Sequence, residues 1–73
     1  MWIKVKGTNQ ILNLDLCENI YVFPYGYGEY SVSANQNGSK RIIGVYNTED
    51  KANQAFETIW RAIARNDYLI TME

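Results

Sequence analysis

Apolar and polar residues alternate with a period of two through the first 46 positions, then switch to a spacing of three and four. Period two places successive side chains on opposite faces of a strand, whereas steps of three and four line one side of a helix. Ile3 and Val5 alternate with Lys4 and Lys6, and Gly7-Thr8-Asn9-Gln10 turns the chain. Leu12, Leu14 and Leu16 alternate with Asn13, Asp15 and Cys17, which predicts a half-buried strand with its leucines facing one way. After Glu18-Asn19, Ile20-Tyr21-Val22-Phe23 resumes in β-branched and aromatic residues that suit a pleated surface. Pro24 has no N–H for a ladder and is expected to close this strand, leaving Pro24 to Glu29 as a loop or wide turn.

Tyr30 to Ala34 directs Tyr30, Val32 and Ala34 one way and two serines the other. The Asn37-Gly38 pair that follows is a strong hairpin signal, because both residues tolerate positive φ. Arg41 to Tyr46 returns as a fifth strand, in which Gly44 marks a bulge or a close backbone approach. Thr48, or Asn47 before it, is placed to cap a helix, and Glu49 and Asp50 complement its dipole. Ala52, Ala55, Phe56, Ile59, Trp60 and Ile63 then form one broad apolar stripe, expected to continue the core of the sheet. Glu57 precedes Arg61 by one helical turn, and Asn66 suits a left-handed C-terminal residue. Tyr68 to Met72 is expected to pair with a sheet edge. The predicted fold is α+β: a curled antiparallel sheet of about five strands, packed by one C-terminal helix, forming a single domain over residues 1–73.

Composition narrows the chemistry. A chain of 73 residues is small enough to be marginally stable, and the usual supplements are missing: there is one cysteine, Cys17, and no histidine. Neither a disulfide nor a Cys/His metal site can be assembled, and no cofactor is expected. The lone thiol fits a reducing compartment, so the expected location is the cytoplasm. A net charge of −1 gives no basic excess for a phosphate backbone, which disfavours nucleic acid. The opening residues contain no apolar run of signal-peptide length, and no stretch approaches a membrane span.

Without histidine, the Ser/His/Asp and Cys/His arrangements are excluded, which leaves only paired carboxylates such as Asp15 with Glu18 or Glu49 with Asp50. Those acids also belong naturally to a turn and a helix N-terminus, and a shell this small has little room for a substrate cleft. The expectation is a protein that is not an enzyme. Cys17 sits among acids that raise rather than lower a thiol pKa, so it is read as unreactive.

Two surfaces remain. The first is a set of aromatics, Trp2, Tyr21, Phe23 and Tyr46, placed by simple alternation on the sheet face away from the helix. Aromatics among polar residues mark either an interface, with a homo-oligomer (a dimer above all) or a protein partner, or a second small core within a curled sheet. The second is the loop of Tyr25, Tyr27 and Tyr30, with Lys40 and Arg41 as phosphate partners. It would suit a small phosphorylated ligand such as a nucleotide, or else is a hairpin tip folded over the core edge. The leading expectation is an interaction module.

Overall fold

The computed structural model of the chain describes residues 1–72 and is α+β. Strands β1 (Trp2–Lys4), β2 (Ile11–Asn13), β3 (Asn19–Gly26), β4 (Glu29–Gln36) and β5 (Ser39–Tyr46) precede helix α1 (Glu49–Ala64) and strand β6 (Leu69–Thr71). They form two three-stranded sheets, ordered β2-β1-β6 and β3-β4-β5. The expected five-stranded antiparallel sheet is thus six strands in two sheets, and one pairing, β1 with β6, is parallel. The C-terminal segment does pair with an edge, with Ile3 opposite Ile70. The two sheets meet where the Lys6 N–H donates to the Ile43 carbonyl at 2.9 Å. No helix among the described residues is long and apolar enough to cross a membrane.

Local chemistry accounts for the boundaries. Thr48 caps α1 in extended geometry, its Oγ1 accepting from the Lys51 N–H at 3.1 Å. Asn66 ends the helix with φ of 58°. Asn37 and Gly38, at φ of 51° and 78°, make the tight hairpin turn between β4 and β5. The β3–β4 turn is equally tight rather than wide. Tyr27 takes φ of 53° beside Gly28 at 75°, and the ladder runs through Pro24, which is tolerated because β3 is an edge strand.

The leucine run divides. Only Leu12 lies in β2, and Leu14–Leu16 forms a short 3-10 turn. Asn13 imposes it, since its Oδ1 accepts from the Asp15 N–H at 3.0 Å. Leu14 enters the core while Leu16 is exposed.

Helix α1 lies across β3-β4-β5 on an alanine-rich stripe. Ala52, Ala55, Ile59 and Ala62 are buried against Val32, Ala34 and Ile43. Ile3, Leu14, Ile70 and Met72 complete the same core from the other sheet and the turn before β3. Alanines let the helix approach closely, so its bulkier residues point aside. Phe56 is half-buried, and Trp60 and Ile63 are exposed, contrary to the expected broad stripe.

Candidate interaction groove

The residues displaced from the core line a groove. Phe56, Trp60 and Ile63 project from α1 toward Ile20 on β3, Leu14 on the 3-10 turn and Tyr68 before β6. The groove has a volume of about 640 Å³ and includes Cys17. Trp60 is 62% exposed, and Ile63 and Tyr68 are exposed with it. The placement follows from helix geometry. Residues 56, 60 and 63 recur at steps of four and three, as do 52, 55, 59 and 62, and the two stripes run side by side. With three alanines on one stripe, the sheet accepts that one and the larger side chains stand at its flank.

Charges of both signs border the groove. Asp15 accepts from the Met1 ammonium at 2.9 Å, and Asp67 pairs with Arg65 at 2.9 Å. Glu18 lies on the same rim, whereas Arg61, outside the lining, sits 3.6 Å from Glu57 on the exposed side of the helix. These exposed pairs each contribute less than about 1 kcal/mol to folding. Burial pushes the Cys17 thiol above its usual range, Glu18 adds to the rise and Arg41 opposes it. A thiol held protonated in this way is a poor nucleophile and a poor metal ligand. Among the described residues there is no cluster of His, Cys, Asp or Glu able to hold a metal ion.

The aromatics expected on one sheet face are divided among three places. Trp2 belongs to the β2-β1-β6 sheet, beside Asn13 and Leu69. Tyr21 and Phe23 do share the face of β3-β4-β5 away from α1, in an edge-to-face pair with centroids 6.2 Å apart. The register sets them beside Ser33 and Ser31 of β4, with Ile42 and Val45 on the far side. Between these larger neighbours both serines are fully buried. Ser31 donates to the Phe23 carbonyl at 3.3 Å, which leaves Ser33 as the donor in the 2.9 Å hydroxyl pair. The Tyr21 hydroxyl donates to Asn35 Oδ1, and the Lys40 ammonium lies 4.9 Å from the Phe23 ring centre. Phe23 nevertheless stays 51% exposed.

Tyr46 is not on this face. It is 7% exposed and part of the core beneath α1, because a bulge in β5 reverses the alternation: Ser33 pairs with Ile42 and Val32 with Gly44, skipping Ile43. Val45, opposite Ser31, takes the outer face instead.

The phosphate-binding set is spread along the hairpin at the backbone, and of its cations only the Lys40 side chain reaches back toward the tyrosine end, its ammonium 4.9 Å from the Phe23 ring centre. Tyr25 and Tyr27 are exposed at the β3–β4 turn, and Tyr30 is level with Pro24 at that end of β4. Lys40 is level with Asn35 and Arg41 with Ala34, toward the opposite turn. At about 3.3 Å per residue, the steps from Tyr30 to Asn35 amount to roughly 16 Å. Arg41 turns instead to Gln36, its Nε donating to Oε1 at 3.3 Å.

Sequence reasoning missed the groove because Trp60 and Ile63 continue a helical apolar pattern. The signal that could have exposed it is the run of alanines at 52, 55 and 62, a narrower stripe than the apolar residues as a whole. Compared with protein-family models, characterised proteins and solved structures, the chain matches none.

Proposed function

We propose that this chain is a non-enzymatic interaction module that associates with a second copy of itself through the groove beside α1. One observation carries the reading: Trp60, the largest apolar side chain of the helix, stands 62% exposed at the rim of a concave apolar surface. Trp and Tyr are the residue types that concentrate binding energy at the centre of interfaces. A second copy fits because the same patch offers both parts of a two-fold interface, the exposed Trp60, Ile63 and Tyr68 and the concavity they surround. Association also supplements the limited core of a chain this short.

Absence of histidine supports a non-enzymatic role, and the lone, unactivated Cys17 suits the reducing setting of the cytoplasm. A nucleotide site at Tyr25, Tyr27 and Tyr30 with Lys40 and Arg41 is not carried forward, given their separation along β4.

Sedimentation equilibrium from micromolar to millimolar concentration tests the reading. The expected result is a reversible dimer, weakened about tenfold or more by Trp60→Ala. A chain that stays monomeric throughout, or a dimer indifferent to Trp60→Ala, overturns self-association through this groove.

A further inference from the structure

A second concavity, on the far side of α1, has a different chemical character and is independent of the groove reading. It has a volume of about 470 Å³, within the range of small-molecule sites of roughly 300–1,000 Å³. Its lining is polar and cationic: Lys6 after β1, Tyr46 at the end of β5, Lys51 and Gln54 on the first turns of α1, and Thr71 on β6. Among the described residues no carboxylate lines it, since Glu49 and Asp50 precede Lys51 on the helix but lie outside the lining.

Three features of this cleft lack a purely structural account. Lys6 and Lys51 form no ion pair among the described residues. Lys51 sits in the first turn of α1, where the helix dipole opposes a cation, although the neighbouring positions carry the acids that such a turn favours. The hydroxyl of Tyr46, a residue 93% buried by its 7% exposure, has no hydrogen-bond partner among the described residues. Buried hydroxyls are nearly always satisfied. Lys6 is already oriented: its Nζ donates to the Val45 carbonyl at 2.8 Å and lies 4.0 Å from the Tyr46 ring centre. An ammonium with three donors still has protons to offer.

We propose that this cleft binds the phosphate group of a small phosphorylated molecule, with Lys6 and Lys51 supplying the charge and Tyr46 and Thr71 the neutral hydrogen bonds. Lysine serves as a point charge for phosphate, and phosphate offers several acceptor oxygens to converging donors. The Tyr46 hydroxyl is enclosed against Gly44, so a ligand oxygen completes it through a small shift of the ring as the ligand enters. The cleft is larger than inorganic phosphate requires, which leaves space for an organic portion against Ala55 and Met72.

The test is a titration of the isotope-labelled chain followed by amide chemical shifts, using inorganic phosphate and, separately, glycerol 3-phosphate, with sodium chloride at matched ionic strength as control. Saturable shifts centred on Lys6, Tyr46, Lys51 and Thr71 are expected, with glycerol 3-phosphate binding more tightly than inorganic phosphate. Lys6→Gln with Lys51→Gln should weaken binding about tenfold or more, as loss of two charge-assisted contacts implies. Lys40→Gln with Arg41→Gln removes equal charge at the other side and should leave affinity unchanged. Tyr46→Phe, which keeps the ring, should weaken binding measurably. If Lys6→Gln disturbs folding, Lys51→Gln alone reads the site, because Lys51 is exposed on the helix surface. Shifts that chloride reproduces, equal losses from the two lysine and arginine pairs, or an unchanged affinity in Lys51→Gln overturn the site.

Discussion

Neighbouring residues on α1 give the sharpest test of how the helix is seated. Ile59 is 1% exposed and packed in the core, so Ile59→Ala leaves a cavity and should cost about 3–4 kcal/mol, within the roughly 2–5 kcal/mol range for buried aliphatics. Trp60 is larger, and a core tryptophan truncated to alanine loses about 3–5 kcal/mol. Only a little over a third of Trp60 is covered, however, which is about 90 Å² of a side chain near 250 Å². At about 25 cal/mol per Å² that is an upper bound of roughly 2 kcal/mol. Alanine's better helix propensity returns about 0.5 kcal/mol, leaving about 1–1.5 kcal/mol. A domain of this length has about 4–11 kcal/mol in hand, at roughly 0.05–0.15 kcal/mol per residue, so both losses are measurable. Urea unfolding followed by circular dichroism at the lowest practical concentration isolates the monomer. At high concentration Trp60→Ala should lose additional stability, since dimerisation favours the folded state by mass action. Equal losses from the two substitutions in the dilute chain would refute the seating of α1 on its alanine stripe, and the groove would lose its main residue.

Other expectations are simpler. Tyr46→Phe removes a buried hydroxyl that has no partner, relieving part of a desolvation cost of about 1–3 kcal/mol. The ligand-free chain should therefore gain roughly 1 kcal/mol, or about 4–8 °C in Tm by calorimetry. A loss of stability would show that the hydroxyl is satisfied. Burial also raises the Tyr46 pKa above its ordinary value near 10, so the native state holds a proton that the unfolded chain releases. Its contribution is complete below pH 10 and is lost as pH rises through the folded value, so stability should fall steeply above about pH 10. Tyr46→Phe should flatten that fall, and identical alkaline profiles would contradict the assignment. Thr48→Ala removes the oxygen that accepts from Lys51, for a loss of about 1 kcal/mol, and Thr48→Ser should restore most of it.

Which features could be read from the sequence depended on how local their causes were. The α1 cap at Thr48, its end at Asn66 and the Asn37-Gly38 turn are each set by a residue whose own chemistry dictates the backbone. The tight turn at Tyr27-Gly28 was hidden because a tyrosine carries no preference for positive φ, and there the pairing of β3 with β4 imposes it. The leucines at 12, 14 and 16 satisfied a strand pattern, yet β2 ends after Leu12 and a 3-10 turn directs Leu14 inward equally well. Only the Asn13 side chain, bonded to the Asp15 N–H, distinguishes the alternatives. The seating of α1 was least accessible. Its apolar arc is wide enough to be turned in more than one way, and the choice is made by the small residues of both partners.

The bulge in β5 shows how one residue reaches both proposed sites. Without it, strict alternation from Ile43 would send Val45 inward and Tyr46 out to join Tyr21 and Phe23, as simple periodicity predicts. With Ile43 skipped in the pairing, Gly44 and Tyr46 both lie on the α1 side. The Tyr46 ring then folds back over Gly44 so closely that a Cβ there would stand 3.0 Å from its Cε2 and hydroxyl oxygen, and 3.2 Å from Lys6 Cβ. Glycine thus makes room for the tyrosine, and the tyrosine brings its ring beneath the Lys6 ammonium at the wall of the cationic cleft. The same inversion takes an aromatic ring off the outer sheet face, leaving Val45 beside two buried serines. That face is poorer in exposed aromatics as a result, and Trp60 and Tyr68 at the groove become the larger apolar projection. The shift of the candidate interface from sheet to helix and the assembly of the phosphate cleft have a common physical origin in the register of β4 and β5.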